Sequence, residues 1–480
     1  MNLLFHLRIV LAILSVAAVA IVLIHTNKQH RRNKKLRSMS TTTHMPITGQ
    51  TLSLELMNLS STRIAFDALM DNIPLYRNQV DFEAILQWNG ERVKAAETWA
   101  FDVNMFSQRI EKYTDLCQAI KETFLFFDKP LSQEEYEFPL AYGMLVHDNF
   151  LQSQILFLLS SVYQPQNQFC IAVDGDASED FQKQLYKVAD CFPNIFVTIT
   201  TKVRWCEFSV LRGVFECVRY LAKLEADWKY YQYLSGVDLP LKTNLEMVRI
   251  FKQLNGSFNA GIYDLEWYRQ KHGVPPVPIW KSSLSSTFSR ASAEFMITHP
   301  KVKEVLDYLA DTICPDESFW ASIAGNPREI PMPGGFDAAL WKQKLTGQWR
   351  PKYVKHKNVT KHTEFGLFVP EKYYISRYQV WHVKSMWHLC HGQFVSGSCA
   401  FGVTDLPMLV RRPELVAHKL YFSVHPAAYF CLYETVRRRA LKADGNFSVE
   451  AYGDLPGPQL MRGVPFELVS ITAPNGYEYY

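Results

Sequence analysis

Past its first forty residues the chain has no surplus of positive charge. The net charge is +4, and Arg8 with the cluster Lys28, Arg31, Arg32, Lys34, Lys35 and Arg37 carries more than that, so the remainder is slightly acidic. A body of this kind lacks the electrostatic footprint of a nucleic-acid binder. Internal repeats and long low-complexity tracts are missing too, which sets aside a repeat architecture. Charged residues make up 20% of the 480 and hydrophobic ones 48%, a balance that folds around a core.

Charge is scarcest from Ile9 to Ile24, an uncharged run of Ile, Val, Leu and Ala broken only by Ser15. With Leu3, Leu4, Phe5 and Leu7 ahead of it, the stretch nears the roughly 20 residues that cross a bilayer as a helix. A cleaved signal peptide is the rival, and Ala17, Ala18 and Ala20 are small enough for one. The run stays apolar to Ile24 and then meets the basic cluster, which favours a retained anchor. The expected order is a cytosolic tail over 1–8, a transmembrane signal-anchor over 9–26 and a stem with an N-terminal helical region over 27–137. An α/β domain over 138–440 and a C-terminal extension over 441–480 follow.

Orientation draws on conflicting signals. Six cations follow the span and only Arg8 precedes it, which by the positive-inside rule puts the body in the cytosol. Nine cysteines and four N-glycan sequons, at Asn58, Asn255, Asn358 and Asn446, point to the lumen. The expectation is a lumenal body on a single-pass type II anchor.

Ser38 to Gln50 is rich in Ser and Thr, as a linker is. Phe82 to Trp99 and Phe106 to Phe127 carry apolar residues near helical spacing. From Phe138 the pattern changes. Strand-like runs at Phe138–His147, Phe169–Val173, Asn194–Thr198 and Tyr230–Ser235 alternate with helical ones at Leu151–Tyr163, Asp180–Phe192 and Phe208–Leu224. Such alternation predicts right-handed crossovers and a largely parallel central sheet, with ligands beyond the C-terminal strand ends, where Asp174 and the Gly236–Asp238 turn fall.

One short segment carries a chemical hint. Cys314-Pro315-Asp316-Glu317 puts acidic residues in the first turn of a helix begun by Pro315. Alone, such residues ordinarily complement the helix dipole. Here they follow Phe169-Cys170-Ile171-Ala172-Val173-Asp174 and Leu234-Ser235-Gly236-Val237-Asp238-Leu239-Pro240-Leu241-Lys242-Thr243-Asn244, and they precede Cys399-Ala400-Phe401-Gly402-Val403-Thr404-Asp405-Leu406. In that order the segments resemble the core-2/I-branching β1,6-N-acetylglucosaminyltransferases, over roughly Phe138 to Arg439.

The resemblance implies a GT-A-like glycosyltransferase fold in the Golgi membrane. It also implies inverting transfer of N-acetylglucosamine from UDP-GlcNAc to a sugar hydroxyl of an O-glycan, without metal. Glu317 matches the family's general base, a carboxylate suited to taking the acceptor hydroxyl's proton; Asp316 beside it would cap the helix. Asp174 matches the aspartate on the donor nucleotide, with Val146 and Trp205 on the same side, and Trp205 stands where the family has a tyrosine. Lys419 matches the lysine that offsets charge on the departing UDP. The family's partner arginine is replaced by Ser396, and Arg411 or Arg412 would have to substitute. Asp174-Gly175-Asp176 also fits the Asp-x-Asp metal pattern of other GT-A enzymes, but it is a good turn sequence as well.

Acceptor recognition would fall to Glu266, Arg269 and Lys271, with Trp267, Trp381 or Trp387 as stacking faces. By the family pattern Cys117 pairs with Cys191, Cys170 with Cys217 and Cys390 with Cys399. Cys206, Cys314 and Cys431 then form an odd set, leaving a thiol that is free or joins a disulfide-linked homodimer. Two rivals stay open: a xylosyltransferase-like activity on the same core, and a lumenal glycan-binding protein on a degenerate transferase fold, for which Ser396 is the argument.

Overall fold

The computed structural model describes residues 54–147, 152–262, 273–348, 373–442 and 447–470. The anchor over 9–26, Glu266, Arg269, Lys271, Trp267, Asn358 and Asn446 lie outside them. Among the described residues no helix is long and apolar enough to cross a membrane.

Strands β1 (Leu140–Val146), β2 (Gln168–Val173), β3 (Ile195–Ile199) and β4 (Tyr230–Ser235) form the parallel part of the central sheet. After the short β5 (Asp238–Pro240), β6 (Thr287–Ser289) returns antiparallel to β4, giving the order β3-β2-β1-β4-β6. Each expected strand lies within two residues of its sequence reading, because a parallel strand buried on both faces writes itself as an unbroken apolar run. In β1, Tyr142, Met144 and Val146 face one core and Ala141 the other. A side chain at Gly143 would run into the Tyr231 ring from β4, so that ring can lie across β1 only because the position is glycine.

One face is covered by the helices Gln152–Val162, Glu179–Cys191 and Pro426–Ala440 together with the N-terminal helices. The other is covered by Phe208–Ala222, Arg290–Thr298 and Phe319–Ala324. Phe208–Ala222 buries Val210, Leu211, Val214, Phe215, Val218 and Leu221 at helical spacing, each worth about 1.5–3 kcal/mol of transfer free energy. The two N-terminal helical stretches are interrupted. Asn89 caps Gly90–Thr98 after Phe82–Leu86 has ended, and Asp115 caps Leu116–Phe124 after Met105–Ile110. In both cases an Asx side chain takes backbone N–H groups and starts a new helix where periodicity alone suggested one.

A second, smaller sheet continues from the first. β10 (Val416–His418) pairs antiparallel with β5 and parallel with β7 (Tyr378–Gln379). Beside it β8 (Gln393–Val395) and β9 (Ser398–Ala400) form a hairpin closed by Cys390–Cys399. The buried Asp405 carboxylate locks the hairpin base by accepting the N–H groups of His391, Gly392 and Gly402. Cys117–Cys191 and Cys170–Cys217 staple the helices to each other and to β2. Residues 447–470 do not trail away: Tyr452 donates to the Pro413 carbonyl, and two short helices pack on Asn244–Leu254.

All nine cysteines are described. Cys206 and Cys314 pair with each other, and Cys431 is free but fully buried. The odd set therefore resolves into one further disulfide and one core thiol, and no exposed thiol remains for a covalent homodimer.

Candidate active site

β1 and β2 end side by side, and the Val146 carbonyl accepts the Asp174 N–H at 2.9 Å. Asp174 Oδ1 accepts two further backbone N–H groups, from Val203 at 2.8 Å and Asp176 at 3.0 Å. The carboxylate thereby ties the turn after β2 to the loop after β3. Gly175 is pressed onto the Thr200–Lys202 backbone, leaving no room for a Cβ. Asp176 turns outward and ion-pairs with Lys202, both about half exposed. Trp205, on the same loop, is 87% exposed. Among the described residues no group of three or more His, Cys, Asp and Glu side chains is placed to hold a metal ion.

The Cys206–Cys314 disulfide joins that loop to the turn that carries Glu317. Pro315–Glu317 is a single 3₁₀ turn, and the α-helix Phe319–Ala324 begins only after Ser318. Glu317 is therefore not in the first turn of an α-helix, and Asp316 caps nothing. Asp316 is 9% exposed and its Oδ1 has no hydrogen-bond partner among the described residues. Burial, and then the charge of Glu317, push its carboxyl up to about 7, against the pull of Arg377 and Lys281. The Glu317 side chain is 22% exposed and meets Lys281 Nζ at 3.3 Å. Its carbonyl accepts the Ser282 N–H at 2.5 Å, and its own N–H goes to the Cys314 carbonyl at 3.0 Å. Backbone contacts on both sides fix where the carboxylate emerges.

The smaller sheet brings in the cations. Lys419 follows β10 and is 4% exposed. Burial, and then the charge of Arg377, bring its ammonium down to about 8, with Asp238 opposing. Just before it, His418 Nδ1 lies 2.7 Å from Asp238 Oδ1. Burial, and then Arg377, lower the ring to about 4 despite that carboxylate. A neutral ring donates its Nδ1 proton to Asp238 and keeps Nε2 as an acceptor. Burial alone would raise the Asp238 carboxyl, but His418, Arg377 and the Ser235 N–H outweigh it and hold it low.

Arg377 is the common neighbour, and the sequence did not single it out. It is 6% exposed; its guanidinium donates to Gln379 Oε1 at 2.9 Å, while Nε has no partner among the described residues. It immediately precedes β7, where Tyr378 lies opposite Ala417 and Gln379 opposite His418. That register brings a second cation to the strand leading into Lys419. Arg412 does not serve: it is buried on Glu414, and its guanidinium lies 4.0 Å over the Tyr378 ring. Ser396 sits with Gly397 at the exposed tip of the β8–β9 hairpin, φ 44° and 82°, a two-residue turn with both residues left-handed. Trp381 and Trp387 are both partly exposed near that hairpin. Of the two described sequons, Asn58 caps the helix Leu59–Asp71 and Asn255 ends Asn244–Leu254; both are at the surface.

The family described as Core-2/I-Branching enzyme matches residues 140–375. A Homo sapiens beta-1,3-galactosyl-O-glycosyl-glycoprotein beta-1,6-N-acetylglucosaminyltransferase is 28% identical over 351 residues, covering 68% of this chain and 77% of its own. A Mus musculus N-acetyllactosaminide beta-1,6-N-acetylglucosaminyl-transferase is 29% identical over 340 residues, 65% and 76% of the two chains. A similar Ovis aries transferase is 28% identical over 346 residues, covering 68% and 73%. A match that starts with the first strand of the sheet and runs through the Pro315–Glu317 turn makes this chain a member of the core-2/I-branching enzyme family, and hence a glycosyltransferase.

Proposed function

We propose that the protein transfers N-acetylglucosamine from UDP-GlcNAc to a sugar hydroxyl of an O-glycan, forming a β1,6 branch with inversion. The observation that carries this reading is the Glu317 carboxylate, fixed by backbone contacts on both sides, with Arg377 acting both on its neighbour Asp316 and on the buried Lys419. Glu317 takes the acceptor hydroxyl's proton as that oxygen forms its bond to the anomeric carbon. The bond from that carbon to the UDP oxygen breaks, and Lys419 with Arg377 offsets the charge that builds on the diphosphate. Asp174, Val146 and Trp205 line the nucleotide side; Glu266, Arg269 and Lys271, with an exposed tryptophan, contact the acceptor. No divalent metal takes part. Anchored in the Golgi membrane by residues 9–26, the body works in the lumen.

The test is a donor screen on the purified protein, with a panel of O-glycan acceptors and excess EDTA. Transfer from UDP-GlcNAc in EDTA is the expected result. Transfer from UDP-xylose instead would replace the donor, and UDP binding without transfer would make the protein a degenerate glycan binder. Activity abolished by EDTA and restored by Mn²⁺ would return the Asp-x-Asp reading.

A further inference from the structure

The Cys206–Cys314 disulfide joins the loop after β3 to the turn that carries Glu317. Cys206 follows Trp205 on the loop that Asp174 holds through Val203, and Cys314 precedes the Pro315–Glu317 turn. They are 108 residues apart in sequence, with Cα atoms at 3.9 Å, and the Cys314 N–H donates to the Cys206 carbonyl at 2.9 Å. The Cys314 carbonyl in turn receives the N–H of Glu317. A short continuous path thus runs from the donor-side loop to the carboxylate.

Backbone conformation makes this link matter. Cys314 has φ 47° and ψ 57°, the left-handed region, which a residue with a Cβ avoids. It also precedes a proline, and residues before proline favour extended backbone. Nothing in the local sequence selects this conformation; a glycine would have been the ordinary choice. Cys206 is left-handed as well, φ 63°. Both departures occur where the chains are joined covalently. Released, Cys314 would relax toward extended backbone and swing the turn that aims Glu317.

We propose that Cys206 and Cys314 are a positioning pair for the transfer reaction: their disulfide holds the left-handed Cys314 that aims Glu317, so full turnover requires the pair oxidised. The proposal rests on Glu317 being the base. A dithiol such as dithiothreitol supplies two electrons and two protons; the Cys206–Cys314 bond opens to two thiols as the reagent closes to its own disulfide. Cys206 is partly open to solvent, whereas Cys170 and Cys217 are fully buried; Cys117, Cys191 and Cys390 are also partly open, so the test counts only protein in which Cys117–Cys191 and Cys390–Cys399 are mapped intact.

The experiment measures kcat and donor KM for the wild type before and after mild reduction, with thiol alkylation mapped by mass spectrometry, and for Cys206→Ser/Cys314→Ser. Misplacing a reacting group by about 1 Å slows turnover by as much as ~10²-fold. Reduction mapped to Cys206 and Cys314 should therefore lower kcat roughly ten- to a hundredfold, leave donor KM within about twofold, and reverse on reoxidation. The double variant should be equally slow and gain no further loss from the reductant. If it does not fold, the mapped wild type decides alone. An unchanged kcat in protein reduced at these two cysteines overturns the proposal, as does a loss confined to KM. Glu317→Gln, assayed alongside, separates the two ideas: if it turns over normally, the base assignment has failed; if it is inactive while the reduced enzyme is normal, only the positioning pair has.

Discussion

Two acidic turns are joined through the Cys206–Cys314 disulfide, and their carboxylates are held in different ways. Asp174 has its Oδ1 filled by two backbone N–H groups, and Asp176 beside it has a lysine. Among the described residues, Asp316 is buried with an oxygen that meets no donor, and Arg377 nearby is buried with an Nε that meets no acceptor. Fold-building polar groups find partners within the chain, since an unpaired buried one costs about 1–3 kcal/mol. The strand-end side thus behaves as a finished surface for a ligand to rest on. The Glu317 side holds unmet hydrogen-bonding capacity beside the group proposed to react, an arrangement tolerated where function requires it.

The sharpest way to test that contrast is to neutralise Glu317. Glu317→Gln keeps the shape and the backbone contacts of the turn but removes the base, so kcat should fall ~10²–10⁴-fold while UDP binding persists. A single-turnover assay with calorimetric UDP titration measures both. A near-normal rate would remove Glu317 from the reaction and leave it as a charge on a turn.

Next in size is Lys419. Its charge acts as the diphosphate departs, so Lys419→Ala should lower kcat by roughly 10²-fold, more than it weakens ground-state binding. The ammonium is present below about pH 8 and is lost as pH rises through that value. The kcat/KM profile, which reports the free enzyme, should therefore fall on the alkaline side near pH 8. Lys419→Arg, which stays protonated, should be slower at neutral pH but lack that limb. A wild-type profile flat to pH 10 would mean either that the ammonium is not lowered or that its charge is not used, and an unimpaired Lys419→Ala would single out the second.

How much of this was legible beforehand follows from the same contrast. The four parallel strands and Asp174 were, because apolar runs ending in turn residues are local signals. Glu317 was located, but its backbone was not: nothing short-range announces a left-handed residue before a proline, since a partner 108 residues away holds it there. Asp316 was misread as a cap for the same reason. Arg377 escaped because its importance comes from strand pairing between β7 and β10, and register across some forty residues leaves no mark in either segment. Arg412 was near Lys419 in sequence, yet Glu414 beside it already claims its charge.

Asp316 itself provides a smaller effect. Its folded carboxyl is raised to about 7, against about 3.9 for an unfolded aspartate, so between those values the folded state holds more protons. Stability contributed by this group is full below about pH 4 and declines as pH rises toward 7. Asp316→Asn, which cannot ionise, should match the wild type near pH 4 and exceed it at pH 8 by on the order of 1–3 kcal/mol. Urea unfolding at the two pH values, with disulfides intact, measures the difference. The same gap at both would show that the Asp316 side chain is not titrating.

The least effect is expected at Asp176, and for that reason it tests the strand-end turn. Its partner Lys202 is an exposed lysine, and exposed ion pairs contribute about 0–1 kcal/mol. The turn does not depend on the Asp176 side chain either: Asp174 accepts the Asp176 backbone N–H, and Gly175 supplies the close approach to Thr200. Asp176→Ala should therefore keep transfer within about twofold of wild type, in EDTA and in Mn²⁺ alike, and shift the unfolding midpoint very little. Asp174→Ala is the informative neighbour, because it strands the N–H groups of Val203 and Asp176 and frees the loop that carries Trp205. A larger loss at Asp174 than at Asp176 supports a single anchoring carboxylate at the end of β2. Equal, large losses at both, relieved only by Mn²⁺, would mean that the two carboxylates act together on a metal and that the outward turn of Asp176 is abandoned when donor binds.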